Sequence, residues 1–168
     1  IRSVPGILEA EPVRIYQSEM SLPDGNFEGV TLIGIKDDTQ LGRAYEIVEG
    51  APDALSYSDG VIIDQCDNEK LFHPQLGEIR EIGGRRARIS AKCRGVLSFL
   101  VTPYVFTTYD RVVDYAGGNP SMASYFLVRV EDGVDRESVC QEIERRLEDV
   151  TAVPADEYGS ISVHFWLS

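Results

Sequence analysis

Apolar and polar residues alternate most strictly along residues 78–95, EIREIGGRRARISAKCRG. Beyond the paired glycines, Ala87, Ile89, Ala91 and Cys93 fall on one face. Arg86, Arg88, Ser90, Lys92 and Arg94 fall on the other, the period of two expected of a half-buried strand. Gly83 and Gly84 suit the left-handed backbone of a two-residue connection, so the segment predicts a β-hairpin. The same alternation returns in SISVHFWL, where Ile161, Val163, Phe165 and Leu167 share one side of an expected strand.

Residues 1–35 predict a short helical remnant at IRSVPG and then a second hairpin. EPVRIYQSEMSL and FEGVTLIGI are joined by PDGN, whose Pro-Asp-Gly order favours a turn, and Val13, Ile15 and the run Leu32 to Ile35 supply its apolar positions. Residues 36–60 are acidic and turn-rich and predict little regular structure. The strand VIID follows, then an expected short helix from about Asp67 to Phe72. After the basic hairpin, VLSFLVTPYVFTTYD reads as strand interrupted at Pro103. Thr107 or Thr108 is placed to cap a helix carrying Val112, Val113 and Tyr115, which Gly117-Gly118-Asn119-Pro120 ends.

The last third carries the clearest signals. Ser124 to Val130 predicts a strand with Phe126, Val128 and Val130 on one face. A helix starts from an Asp135 cap, with Val134 and Val139 as a hydrophobic staple. Val139, Ile143 and Leu147 recur at spacing four beside Cys140, and Glu142, Glu144, Arg145, Arg146 and Glu148 form a solvated face. These elements give an α+β fold: a mixed sheet with strand–helix–strand units and an inserted β-rich lobe. The expected divisions are 1–48 and 122–168 for the outer lobe and 49–121 for the insertion.

Charge sharpens the picture of the hairpin. The net charge of the 168-residue chain is −12, yet Arg80, Arg85, Arg86, Arg88, Lys92 and Arg94, six of 16 basic residues, lie in this one ribbon. That concentration suits a surface that meets a partner. It also suits the polar face that any hairpin resting on a core must have, and the two readings are compatible. An acidic chain has the wrong long-range field for nucleic acid. A chain of this length can bury roughly 68–70% of its unfolded surface and needs no disulfide or metal to fold. No run approaches the roughly 18 apolar residues of a membrane span, and no signal peptide opens the sequence. The start at Ile1 without a Met reads as a piece of something longer.

The search for chemistry yields little. GxSxG, SxxK, HExxH, Walker, GxGxxG and EF-hand patterns are all missing from the sequence. Only His73 and His164 are present, too few for a histidine-rich metal site; His164 alternates with strand residues, and His73 precedes Pro74 in an expected loop. Asp64 and Asp67 form a carboxylate pair better suited to turn and cap chemistry than to acid–base work. Cys66, Cys93 and Cys140 show no metal spacing; they read as small buried side chains, with a Cys66–Cys93 bridge as the alternative. Tyr104, Phe106, Tyr109, Tyr115, Tyr125 and Phe126 supply either core or the lining of a groove for lipid or another ligand.

Taken in order, several segments resemble the extracytoplasmic domain of MacB- and FtsX-type ABC transporter permeases, closest to the DevC-like branch, whose relatives export glycolipid. IRSVPGILEAEPV resembles the family's opening after the first membrane helix, and FEGVTLIGI its second strand. VIIDQCDNEKLFHPQLGEIREIGGRRARISAKCRG resembles the middle stretch: a strand ending in Asp, a short helix, a Leu-Gly step and a hairpin closing at Arg-Gly. PYVFTTYDRVVDYAG and YFLVRVEDGVDRESV continue the likeness, and HFWLS resembles the approach to the second membrane helix. The middle stretch departs from MacB itself, so macrolide or peptide export does not carry over.

The resemblance implies a non-catalytic domain with a "porter" lobe from the two ends and an inserted "sabre" lobe, and no cofactor or metal. It implies a separate ABC ATPase subunit or domain, a permease homodimer, and a periplasmic membrane-fusion (adaptor) protein as partners, at the outer side of the inner membrane. Arg86, Arg88, Lys92 and Arg94 lie where adaptor contact is expected and are the docking candidates. A periplasmic ligand- or lipid-binding sensor is the alternative, and a small hydrolase a third.

Overall fold

The computed structural model describes residues 1–44, 46–95 and 102–158. Among these residues the main elements run in the order β1 (Ile7–Ser21), β2 (Phe27–Ile35), β3 (Glu46–Gly50), β4 (Gly60–Asp64), β5 (Ile79–Ile82), β6 (Arg85–Arg94), β7 (Tyr104–Thr108), α1 (Arg111–Ala116), β8 (Tyr125–Val130) and α2 (Arg136–Arg146). The chain divides into two compact units, Glu11–Leu127 and Ile1–Ala10 with Val128–Ser168.

In the larger unit the strand pairings form a ring: β1 pairs β2, β2 pairs β7, β7 pairs β4, β4 pairs β6, β6 pairs β5, and β5 returns to β1. The β2–β7 and β4–β6 pairings are parallel and the others antiparallel, so the sheet is mixed, as expected. Side chains from all six strands meet inside this closed barrel: Met20, Val30, Leu32, Val61, Ile63, Ile82, Ala87, Ile89 and Val105, joined by Leu71 and by Val112 and Tyr115 of α1. A second cluster lies on the other face of the same strands, with Val13, Ile35, Ile62, Ala91, Cys93 and Phe106 against Ala44, Ala54 and Leu55.

The seam between β5 and β1 is short. Met20 faces Ile82 there, the Gly83 N–H donates to the Glu19 carbonyl at 3.0 Å, and the Glu81 N–H donates to Ser21 Oγ at 2.9 Å. Arg80 reinforces it from a buried position, donating to the Ser21 and Leu71 carbonyls at 3.0 and 3.2 Å and to Glu78 at 2.5 Å.

The predicted hairpins form as read. PDGN turns β1 into β2, and Gly83 and Gly84, both left-handed at φ 54° and 73°, turn β5 into β6. Several local expectations change. Of the cysteines read as buried, Cys93 is, Cys140 is half-buried and Cys66 is exposed, because it sits in the turn after β4. Residues 1–6 form turns, not helix. Within 36–60, the segment 46–50 becomes β3 because it pairs with the far half of β6. The expected helix after VIID is a single 3-10 turn, Gln65–Asp67; Phe72 and His73 are left-handed, and Pro74 disfavours helical backbone just before it. Thr107 and Thr108 cap nothing, since both stay in β7 opposite Gly34 and Ile35, and α1 starts only at Arg111. Phe126 is exposed on β8, whereas Val128 and Val130 are half-buried.

The smaller unit centres on Val4, Val139 and Ile143, with Ile7, Val130, Val134, Leu147 and Ala152 around them. The Asp135 cap is in place, its carboxylate accepting the Ser138 N–H at 3.1 Å, and the paired valines of the staple share this cluster. The terminal strand expected over Ile161 to Leu167 lies outside the described residues.

Candidate partner-docking face

Strand β6 is flanked along its whole length: by β4 on one side, and on the other by β5 for its first half and β3 for its second. Its register against β4 slips between Ile89, opposite Val61, and Ala91, opposite Ile62, so Ser90 is the extra residue of a β-bulge. A bulge reverses the in–out phase beyond it. Ala87 and Ile89 therefore join the barrel interior while Ala91 and Cys93 join the outer cluster, instead of sharing one face as strict alternation implied.

The reversal separates the four candidate cations. Arg86 and Arg88 precede the bulge, and both donate to one carboxylate, Asp59, at 2.7 and 3.1 Å. The Arg88 N–H also bonds the Asp59 carbonyl at 2.7 Å, fixing that loop beside the strand. Hydrogen bonding from Arg86 first, and then from Arg88, holds the Asp59 carboxyl below the usual carboxylate range against the opposing effect of burial. Lys92, past the bulge, has a side chain only 6% exposed, with Nζ 3.4 Å from Glu49 of β3. Arg94 forms a forked pair with Glu46 at 2.8 and 2.9 Å. Each cation thus faces an acid from residues 46–59. Arg86, with 59% of its side chain exposed, and Arg94, with 54%, are the most accessible.

Asp59, Glu46 and Glu49 are the residues that sequence reading missed here. The available signal was the acidic composition of 36–60 lying just ahead of a basic ribbon. Arg14 was missed as well. It is buried, stacks 3.7 Å from the Tyr109 ring centre, and donates to the carbonyls of Tyr109 (2.8 Å), Met122 (2.9 Å) and Pro120, pinning residues 109–122 to β1.

Among the described residues, the remaining candidates lie apart from one another. Asp64 accepts the Cys66 N–H at 2.8 Å and Asp67 pairs Lys70 at 3.1 Å, both in turn and cap roles. His73 sits in the loop before Pro74, and His164 lies outside the described residues. Among the described residues no group of His, Cys, Asp and Glu could hold a metal ion, and no helix is long and apolar enough to cross a membrane. Phe106 belongs to the outer cluster and Tyr115 to the barrel interior, while Tyr125 and Phe126 are exposed on β8, so the aromatic set lines no common groove.

Neither a protein-family model nor a curated protein matches the sequence. Solved structures do match the fold. The extracellular domain of the ABC-type transporter YknZ from Gram-positive bacteria superposes with a TM-score of 0.68 at 20% identity, covering 88% of this chain and 78% of that one. The periplasmic region of MacB from Actinobacillus actinomycetemcomitans gives 0.63 at 14% identity over 86% and 70%. A domain of a putative permease from Porphyromonas gingivalis gives 0.61 at 18% identity over 88% and 73%. The chain has the fold of these domains.

Proposed function

We propose that this chain is the extracytoplasmic domain of an ABC-type transporter permease and that it works mechanically, without catalysis of its own. The observation that supports this most is the shared fold, which spans 86–88% of the chain in three separate domains named as parts of transporters or permeases. In this reading a separate ATPase subunit or domain drives the cycle, two permeases pair, and the domain transmits the motion outside the membrane to a periplasmic adaptor. The cargo is an effluxed compound, a glycolipid or another lipid. The adaptor docks along β6, where Arg86 and Arg88 lie before the bulge and Arg94 beyond it, with Lys92 paired to Glu49.

The reading of the parent gene tests the placement. An apolar helix of about 20 residues on each side of this segment is expected; a secretory signal and a stop codon in their place would overturn it. Docking is tested by the double reversal Arg86→Glu with Arg94→Glu. It should weaken adaptor binding about tenfold or more, and most at low salt, because both charges lie at an exposed surface. Unchanged affinity in a folded double variant would remove the β6 face from the interface.

A further inference from the structure

Arg86 and Arg88 stand on one face of β6, two residues apart, ahead of the bulge at Ser90. Extended backbone sets their Cα atoms about 6.6 Å apart. Each donates to Asp59 through Nε alone, Arg86 to Oδ2 and Arg88 to Oδ1. Among the described residues the Nη groups of both donate to no protein acceptor. Two guanidinium ends are therefore left to solvent, on side chains 59% and 38% exposed. The carboxylate that holds them is itself fixed. Arg111 donates to the carbonyls of Tyr57 and Gly60 at 2.9 and 2.8 Å, and the Arg88 N–H bonds that of Asp59, so the backbone is pinned on both sides of the acid. The Tyr115 hydroxyl donates to the Arg86 carbonyl at 3.0 Å and fixes the strand beneath. Across on β5, exposed Ile79 faces Arg88, and Glu81 faces Arg86 without forming an ion pair among the described residues. At Arg88 the backbone of β6 is paired with both β4 and β5, so a partner meets this face through side chains and adds no strand to it.

We propose that Arg86 and Arg88 form a twin fork for an acidic segment of the docking partner, an extended stretch of protein with carboxylates at alternate positions. Spacing decides the pattern. Alternate side chains of an extended segment share one face and repeat at the same distance of about 6.6 Å, so one carboxylate meets each guanidinium. A carboxylate takes paired N–H donors from a planar guanidinium, a geometry that lysine does not offer. Asp59 aligns both arginines before the partner arrives, so little side-chain freedom is lost on docking. Arg94 lies beyond the bulge and is spent on its own forked pair with Glu46, so the row ends at two cations. Because this is the face read above as the adaptor's, the partner's role rests on that reading; the fork and the pattern it selects do not.

The experiment titrates the whole chain at low salt with labelled peptides of equal length, built from serine and glycine. One carries two glutamates at alternate positions, a second carries them side by side, and a third has glutamine in their place. The alternate peptide should bind about fivefold tighter than the adjacent one, and the glutamine peptide should not bind. The double variant Arg86→Lys with Arg88→Lys keeps both charges at exposed sites and should retain its melting temperature, yet weaken the alternate peptide about tenfold. Equal affinity for the two glutamate peptides, full affinity in the lysine variant, or binding of neither peptide would each overturn the proposal. So would displacement of the alternate peptide by an equal concentration of inorganic phosphate, which would mark a general anion site. No membrane or adaptor enters this assay, so failure here leaves the adaptor reading to its own test with Arg86→Glu and Arg94→Glu. Loss of the transporter reading would leave these affinities unchanged.

Discussion

The two units of this chain hold themselves together in different ways. Glu11–Leu127 closes a ring of six strands, so each ring strand pairs on both sides and side chains from all six fill one interior. The described part of Ile1–Ala10 with Val128–Ser168 rests on a single amphipathic helix and three buried residues, Val4, Val139 and Ile143. One unit is specified by pairings between distant segments and the other largely by local signals: a cap, a staple and a spacing of four. Damage should therefore cost most inside the barrel, less at its closing seam, and least on charged surface loops.

Leu32→Ala should break the contrast most severely. Leu32 is fully buried, and the ring around it cannot collapse onto a cavity without giving up strand pairing. A loss of about 4 kcal/mol is expected in urea unfolding, against about 1 kcal/mol for Ile143→Val in the smaller unit. Equal losses would mean that the barrel interior is not the dominant core. Arg14→Met follows. The thioether keeps much of the side-chain volume but strands three backbone carbonyls, so a loss of about 3 kcal/mol is expected, with faster proteolysis within residues 109–122.

Neighbouring glycines in the β5–β6 turn sharpen the point. Both are left-handed, so alanine strains either one. At Gly84 a Cβ meets nothing within 4 Å, and Gly84→Ala should cost about 1 kcal/mol. At Gly83 it would lie 1.9 Å from the Tyr115 carbonyl oxygen, where α1 abuts the barrel seam. Gly83→Ala should cost about 3 kcal/mol, because either the turn or α1 must move. Equal melting temperatures for the two variants would show that the seam tolerates opening.

The same contrast explains what could be read from the sequence. Both hairpins, the Asp135 cap and the Val139-Ile143-Leu147 stripe were legible because each signal lies within a few residues of the structure it specifies. Ring closure was not, since β2 finds β7 and β4 finds β6 across parallel pairings with long connections. Strand β3 was hidden for the same reason: EIVEG is short and acidic, and becomes a strand only by lying along β6. On the docking face, the identity of the basic residues was legible and their disposition was not. The Ser90 bulge leaves no mark on the alternating pattern, yet it divides the apolar residues between two cores and coincides with the burial of Lys92.

Asp59 gives the smallest and most selective test. Its carboxylate joins the loop before β4 to Arg86 and Arg88, and its pKa is lowered mainly by Arg86. A depressed carboxylate contributes stability that is present above its unfolded pKa, near 3.9, and is lost as pH falls through the lower folded value. Asp59→Asn should therefore lower stability at neutral pH by about 1 kcal/mol or less, as expected for a pair whose arginines reach solvent. The difference from the unaltered protein should shrink as pH drops below about 4, since protonation then leaves Asp59 as uncharged as the asparagine. A pH-independent difference would mean that Asp59 matters through its backbone bond to Arg88 and its packing, not through its charge. In that case the two arginines are held only loosely, and an acidic partner could displace Asp59 from them at little cost.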